Sequence, residues 1–152
     1  MQGLSCIFFE TALKVKEART HACIDCVPVD PDAFAAAPMM FRKEISESES
    51  EWSQHHSKSI IDTSEKGLRR CVPTKFPYFH VQYGYKRGSL HVIDDEPKWE
   101  RGFGRSVLVS LTGGKEVEMY RRAQRRNAET ERSQKATFAK QWSQFDWTRQ
   151  LE

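Results

Sequence analysis

Two pairs of short alternating segments constrain the fold of this 152-residue chain more than any other feature. Leu4–Glu10 and Thr20–Val29 are rich in β-branched, aromatic and cysteine side chains, and a short charged stretch connects them. Tyr78–Tyr83 and Ser89–Asp94 repeat the pattern on either side of the turn-forming segment Gly84–Gly88. Strands with connections this short pair most simply as antiparallel hairpins, which are stable only as parts of a larger sheet. The chain is therefore predicted to contain an antiparallel sheet.

Helical patterns occupy much of the remaining sequence. Apolar side chains recur at helical spacing in residues 39–52, whereas Ala33–Ala37 is predicted to be a connector that ends at Pro38. A short helix is expected over Val107–Leu111, and a long polar helix from residue 115 to about residue 140. Strands and helices that follow one another in this way predict an α+β fold.

Length and composition limit the class of protein. A chain of 152 residues allows one or two small domains, which excludes a large multidomain enzyme. The net charge of +3 is weak, so any RNA contact would come from a local basic patch. No apolar run reaches the roughly 18 residues of a membrane span, and no signal peptide is recognised, so an intracellular protein is expected. The strand that begins shortly after Met1 suggests the end of a longer protein.

Basic and aromatic residues are concentrated around the second predicted hairpin. Arginine and lysine bind phosphates and aromatic rings stack on bases, so this mixture is typical of RNA-binding surfaces. The same residues would also suit an ordinary solvated surface, and both interpretations stay open. The candidate RNA-binding residues are Arg69, Arg70, Lys75, Tyr78, His80, Tyr85, Lys86, Arg87, His91, Arg101 and Arg105.

Two histidines of this hairpin could form an acid and base pair that acts on a phosphodiester. If the loop consists of the four residues Gly84–Arg87, His80 lies directly opposite His91. A shift of one residue would place the two rings on opposite faces of the sheet. Histidines on a half-buried hairpin more often pack against a neighbour or hydrogen-bond to it, so no catalytic residue is assigned here.

Four cysteines raise the question of a metal or redox site. Cys23 and Cys26 form a Cys-x-x-Cys pair, but residues three apart on a strand point to opposite faces, which favours structural thiols. A zinc-stabilised fold that uses Cys23, Cys26, Cys71 and one histidine stays a further possibility. No cofactor or metal is predicted.

His21, Cys23 and Asp25 are predicted to share one face of the second strand, since alternate residues of a strand point the same way. This pattern resembles the His-x-His-x-His strand of the histidine-triad (HIT) nucleotide hydrolases, in which one histidine attacks the α-phosphorus. Only the first histidine is kept here, and the carboxylate of Asp25 would repel phosphate. The resemblance implies a HIT-like fold without hydrolase activity. A nucleotide or phosphodiester hydrolase that uses His21, or the pair His80 and His91, is the alternative.

A wider set of motifs resembles the C-terminal region of the CwfJ family of splicing factors. The matching segments are Ala37–Lys43, Ser48–Ser53, Gly67–Arg70, Phe76–Val81, His91–Asp95, Phe103–Arg105, Phe138–Trp142 and Phe145–Thr148. Members of this family end in a HIT-like region followed by a second region peculiar to the family. The resemblance therefore implies that residues 1–36 are the remnant of a HIT-like antiparallel sheet. It implies that residues 37–152 form the second region, a small α+β region with an aromatic β-hairpin and a long C-terminal helix.

The same resemblance implies a function. Family members are components of the late, intron-lariat spliceosome and are related to lariat debranching. A non-catalytic nuclear protein is therefore expected, one that acts in pre-mRNA splicing during intron-lariat release or turnover. Its expected partners are spliceosomal proteins, small nuclear RNA and intron-lariat RNA within the assembly, and the lariat-debranching machinery, with no membrane contact.

Overall fold

A computed structural model describes residues 3–17, 21, 23–50, 60–85, 87–114 and 127–150. The chain divides into two compact units, residues 1–120 and 121–152, and each is described by itself. The strands of the first unit are β1 (Ser5–Ala12), β2 (Asp25–Val29), β3 (Ile61–Asp62), β4 (Tyr78–Tyr83) and β5 (Arg87–Val92). Its helices are α1 (Pro31–Ser50), α2 (Leu68–Cys71) and α3 (Phe103–Leu111). The second unit contains α4 (Ala128–Trp142) and a 3-10 helix (Trp147–Gln150).

The five strands form one antiparallel sheet in the order β2-β1-β4-β5-β3. Both predicted hairpins are confirmed, since β1 pairs with β2 and β4 pairs with β5. The α+β class is confirmed as well. The sheet also joins strands from both sides of the predicted boundary between residues 36 and 37, because β1 pairs along its length with β4.

One face of the sheet carries the hydrophobic core. Ile7 and Phe9 of β1 and Phe79 and Val81 of β4 point to this face and are buried beneath α1 and α3. The ring of Phe41, from α1, lies stacked on that of Phe79 with the centroids 6.0 Å apart. This face is called the helix-covered face below, and the opposite one the groove face. Burial of these large apolar side chains is the main force that holds the helices on the sheet.

The first helix begins earlier than the sequence predicts. Residues 33–37 were expected to form a connector that ends at Pro38, but α1 runs from Pro31 through Pro38 to Ser50. The Asp30 carboxylate accepts the N–H of Ala33 at 2.8 Å, and proline is favoured in the first turn. Alanine and phenylalanine side chains buried every four residues hold the helix on the sheet, so packing outweighs the backbone hydrogen bond that Pro38 lacks. These side chains belong to Ala33, Ala37 and Phe41, followed by Ile45.

The β4–β5 hairpin has a shorter loop than the four residues considered above. Tyr83 pairs with Arg87, so three residues separate the strands and the register moves by one. His80 consequently pairs with Leu90, and His91 pairs with Phe79. Because successive side chains of a strand point to opposite faces, the two histidines lie on opposite faces of the sheet. The arrangement in which they face each other is therefore wrong.

The second unit contains the C-terminal helix. The prediction placed its start at residue 115, but residues 115–126 lie outside the described part, and Asn127 is extended and caps the N-terminus of α4. The Asn127 side chain accepts the N–H of Thr130 at 2.7 Å, which satisfies a free N–H of the first turn. A single helix that continues through residue 127 is therefore wrong. The rings of Phe138 and Trp142 stack on each other, and both are exposed at the surface of this unit.

Candidate nucleic-acid interface

The groove face of the sheet carries an open groove with a volume of about 580 Å³. Strands β1, β4 and β5 form its floor, and the segment that connects β3 to α2 forms one wall. Its polar lining residues are Glu10, Thr63, Ser64, His80, Gln82 and Arg87, and its apolar ones include Phe8, Ile24, Leu68 and Tyr85. The strand registers place Phe8 beside Gln82 and Glu10 beside His80 on the floor.

His80 is held on the floor by the wall of the groove. The hydroxyl of Thr63 lies 3.1 Å from His80 Nε2. Burial disfavours the charged imidazolium and lowers the pKa of His80 below its ordinary value of 6.5. His80 is therefore a neutral, fixed hydrogen-bonding group at neutral pH.

Gly88 permits the contact between Thr63 and His80. The Thr63 N–H donates to the Gly88 carbonyl at 3.0 Å, and the Gly88 N–H donates to Ser64 Oγ at 3.3 Å, so the wall is attached to β5 here. A Cβ atom on Gly88 would collide with Thr63 Oγ1 and would lie 3.0 Å from His80 Nε2. Glycine is required because the threonine side chain crosses over β5 to reach β4.

Glu10 is a buried carboxylate on the same floor. The residue is 8% exposed, and its Oε1 accepts a hydrogen bond from the Tyr78 hydroxyl at 3.0 Å. Burial, followed by the neighbouring Glu10 charge, raises the pKa of Tyr78 to about 12. Tyr78 therefore remains protonated and donates to Glu10 at neutral pH.

Aromatic and basic side chains form the rim of the groove. The rings of Phe8 and Tyr85 lie 6.1 Å apart, and Tyr85 is 88% exposed at the hairpin turn. Arg87, also a lining residue, is exposed at the start of β5, where it pairs with Tyr83 of the helix-covered face. Arg69 and Arg70 follow the lining residue Leu68 on α2 and are exposed too. An aromatic surface with arginines beside it can stack a base and neutralise a phosphate.

The structure brings together some of the predicted RNA-binding residues and separates others. His80, Tyr85 and Arg87 line the groove, and Tyr78 bonds to its floor. His91 lies on the helix-covered face, buried, with its ring stacked on that of Trp99 at 5.2 Å. The remaining candidates are Lys75, exposed before β4; Lys86, outside the described residues; Arg101, exposed before α3; and Arg105, on α3.

Arg105 already has a partner. Its Nη2 donates to both carboxylate oxygens of Asp25, at 3.1 and 3.3 Å. The charge of Asp25 that was expected to repel phosphate is therefore compensated from α3. The residues His21 and Cys23 precede β2, which begins only at Asp25, so the prediction that the three share one face of a strand is wrong. Strand β2 starts there because Asp25 pairs with Phe9, the last β1 residue to pair with this strand.

The cysteines do not gather into a cluster in the described residues. Cys26 lies near Cys6 on the groove face, and burial followed by the hydrogen bond with Cys6 raises the pKa of Cys26. Cys71 contacts the carbonyl of Asp62 in β3, the strand at the opposite edge of the sheet from β2, with 3.8 Å between sulfur and oxygen. Among the described residues, no group of three histidine, cysteine or acidic side chains could hold a metal ion.

The helices of the described part of the chain include none long and apolar enough to cross a membrane.

The sequence predicted Tyr85 at the rim and His80 on the floor of the groove but not the other floor residues. Phe8, Glu10 and Thr63 were not candidates, because a strand pattern alone does not reveal which face is left open. One signal in the sequence could have identified Glu10. It directly follows four apolar residues, Cys6 to Phe9, in a predicted strand, where a carboxylate is unusual.

The sheet, its covering helices and the open groove define a small α+β module with a candidate RNA-binding face. The chain belongs to the family described as "Protein similar to CwfJ C-terminus 2", which matches residues 51–148. It is 36% identical to human CWF19-like protein 2 over 97% of this chain and 16% of that protein. It is 31% identical to the pre-mRNA-splicing factor cwf19 of Schizosaccharomyces pombe over 98% of this chain and 24% of that protein. The chain thus spans about a quarter or less of these two relatives.

Proposed function

We propose that this chain is a non-catalytic module of a nuclear pre-mRNA-splicing factor. In this proposal it docks on spliceosomal proteins and on small nuclear or intron-lariat RNA in the late spliceosome, near the lariat-debranching machinery. Family membership and the printed name of the fission yeast relative, a pre-mRNA-splicing factor, support the splicing role. The boundary between a HIT-like remnant at residues 1–36 and a second region at 37–152 belongs to the same proposal.

The observation that carries the RNA contact is the rim of the groove. The half-buried Phe8 and the exposed Tyr85 offer an aromatic surface, and two exposed arginines, Arg69 and Arg70, directly follow the lining residue Leu68. Base stacking on such rings tolerates any sequence and adds to the attraction between arginine and phosphate. A local patch of this kind can bind RNA although the whole chain has a net charge of only +3.

The arrangement of the histidines supports a non-catalytic role. His80 is the one histidine that lines the groove among the described residues, and Thr63 occupies its Nε2. His91 lies on the other face, so these two cannot act on one phosphate as acid and base. Hydrolysis by this pair is therefore disfavoured on geometric grounds.

The test is protein–RNA crosslinking with mass spectrometry on assembled intron-lariat spliceosomes. Wild-type protein is compared with Tyr85→Ala, with Arg69→Glu and with the control Arg132→Glu, which makes the same charge change on α4. We expect RNA crosslinks at the groove rim in the wild type and the control, and their loss in the two rim variants after folding has been verified. Crosslinks to protein alone would refute the RNA contact and leave a protein-docking module.

A further inference from the structure

Glu10 is the least expected residue in the groove. A glutamate that is 8% exposed is rare unless it is paired, because burial of a carboxylate without a partner costs several kcal/mol. Glu10 accepts a hydrogen bond from the neutral hydroxyl of Tyr78, and this bond engages Oε1, one of the two carboxylate oxygens. The ion pairs formed by the described residues do not include Glu10. A ligand with hydrogen-bond donors would therefore find a strong, preformed acceptor on the groove floor.

The surroundings of Glu10 identify the shape of that ligand. Phe8 is two residues away on the same face of β1, and its ring is neighboured by that of Tyr85. Gln82 and His80 lie on the adjacent strand, opposite Phe8 and Glu10 respectively. A flat aromatic ligand that stacks at the rim would thus direct its polar edge at the floor, where acceptors and donors are fixed.

The charges of the rim identify the rest of the ligand. Arg69 and Arg70, exposed on α2 directly after the lining residue Leu68, would repel a lysine or arginine side chain that approached Glu10. The same arginines attract a phosphate backbone. An acidic floor beneath a basic rim therefore favours a nucleotide over a basic peptide.

We propose that the groove binds one RNA base that carries an exocyclic amino group, and that Glu10 accepts a hydrogen bond from that amino group. Guanine, adenine and cytosine have this group and uracil does not. The one donor on the polar edge of uracil, its N3–H, lies between two carbonyl oxygens that the carboxylate repels. This inference rests on the proposed RNA contact and specifies which bases that contact selects.

The experiment titrates the full chain with guanosine, adenosine, cytidine and uridine 5′-monophosphates and follows the backbone amide signals of Thr63 and Gly88 by NMR. At least one of the amino-bearing nucleotides should bind about tenfold more tightly than uridine monophosphate, as expected for a good carboxylate–base contact. Glu10→Leu should abolish that preference, whereas the control Glu17→Gln, an exposed carboxylate outside the groove, should keep it. Tyr78→Phe leaves the Glu10 acceptor in place and should keep the preference too.

Several results would overturn the inference. Equal binding of all four nucleotides, no binding of any, or an unchanged preference in Glu10→Leu would each do so. Deoxyguanosine monophosphate tests the ribose: if the 2′-hydroxyl accounts for the whole effect of Glu10, the carboxylate does not read the base. Competition by a short oligolysine peptide at Glu10 would assign the groove to a protein partner. If rim crosslinks to RNA persist in the spliceosome while base preference is absent, this inference fails and the proposed function stands.

Discussion

At the scale of single residues, His80 depends on its immediate surroundings for its properties. Thr63 bonds its ring, and Gly88 provides the space for that bond. A histidine in water would titrate near neutral pH, but burial lowers the pKa of His80. Protonation of His80 at low pH is therefore coupled to the stability of the fold.

Stability should decrease on mild acidification because of His80. The unfolded chain titrates near the ordinary value of 6.5 and the folded protein at a lower pKa, so the unfolded chain binds the proton first as pH falls. This contribution is fully present above the unfolded pKa and is lost as pH falls below it towards the folded pKa. We expect the free energy of unfolding, measured with urea, to fall less between about pH 7.5 and about pH 5.5 in His80→Gln than in the wild type. An NMR titration of His80 with a midpoint at or above its ordinary value would contradict the prediction.

The residues of the groove were only partly predictable from sequence. Tyr85 and Arg87 could be chosen because turn residues are exposed and their chemistry suits RNA. Glu10 stands out in the sequence as a carboxylate at the end of an apolar strand, but strand alternation does not say which face helices cover, so its burial in the groove could not be predicted. Its burial follows from the pairing of β1 with β4, a contact between distant segments of the chain.

At the scale of elements, the length of the β4–β5 loop determines which face of the sheet each side chain of β5 occupies. The alternation of residues along the strand does not show this. Alternating residues predicted both strands of the β4–β5 hairpin, although the second runs over Arg87–Val92 and not over Ser89–Asp94. One residue fewer in the loop then moved His91 to the helix-covered face, because the side-chain period of a strand is two. Helix α1 was misjudged for a different reason: local rules treat Pro38 as a break, whereas the buried row that ends at Ile45 fixes the helix through tertiary packing.

The start of α1 offers a test of this explanation. Asp30→Ala removes the acceptor for the Ala33 N–H and should lower the free energy of unfolding by about 1 kcal/mol. Asp30→Asn keeps an acceptor oxygen at the same place and should cost little. Both values come from urea denaturation monitored by circular dichroism. Equal losses in the two variants would show that the charge of Asp30, and not its capping bond, matters.

At the scale of the whole molecule, the first 36 residues supply a central strand of the sheet. Strand β1 lies between β2 and β4, and its Ile7 and Phe9 enter the core beneath α1 and α3. Without β1, one edge of β4 would lose its hydrogen-bonding partner and the core would lose two large apolar side chains. The family resemblance gave a boundary at residue 36, but sequence segments cannot reveal that strands on either side share one sheet.

A chain of residues 37–152 should therefore fail to fold cooperatively, whereas residues 1–120, the first compact unit, should show a single unfolding transition. The reason is the loss of the β1–β4 ladder together with two large core side chains. Thermal unfolding by calorimetry and the dispersion of NMR signals would measure the difference. A sharp transition in 37–152 would mean that the second region is an independent domain.

The position of β1 in the sheet also affects the order in which the chain folds. During synthesis β1 and β2 leave the ribosome before β4, because Tyr78, which bonds to Glu10, follows it by 68 residues. Until β4 is available, β1 has an unpaired edge next to Ile7 and Phe9, and closing so long a loop is entropically slow. The nascent protein thus passes through a stage with an exposed apolar strand edge, where association with other chains competes with folding.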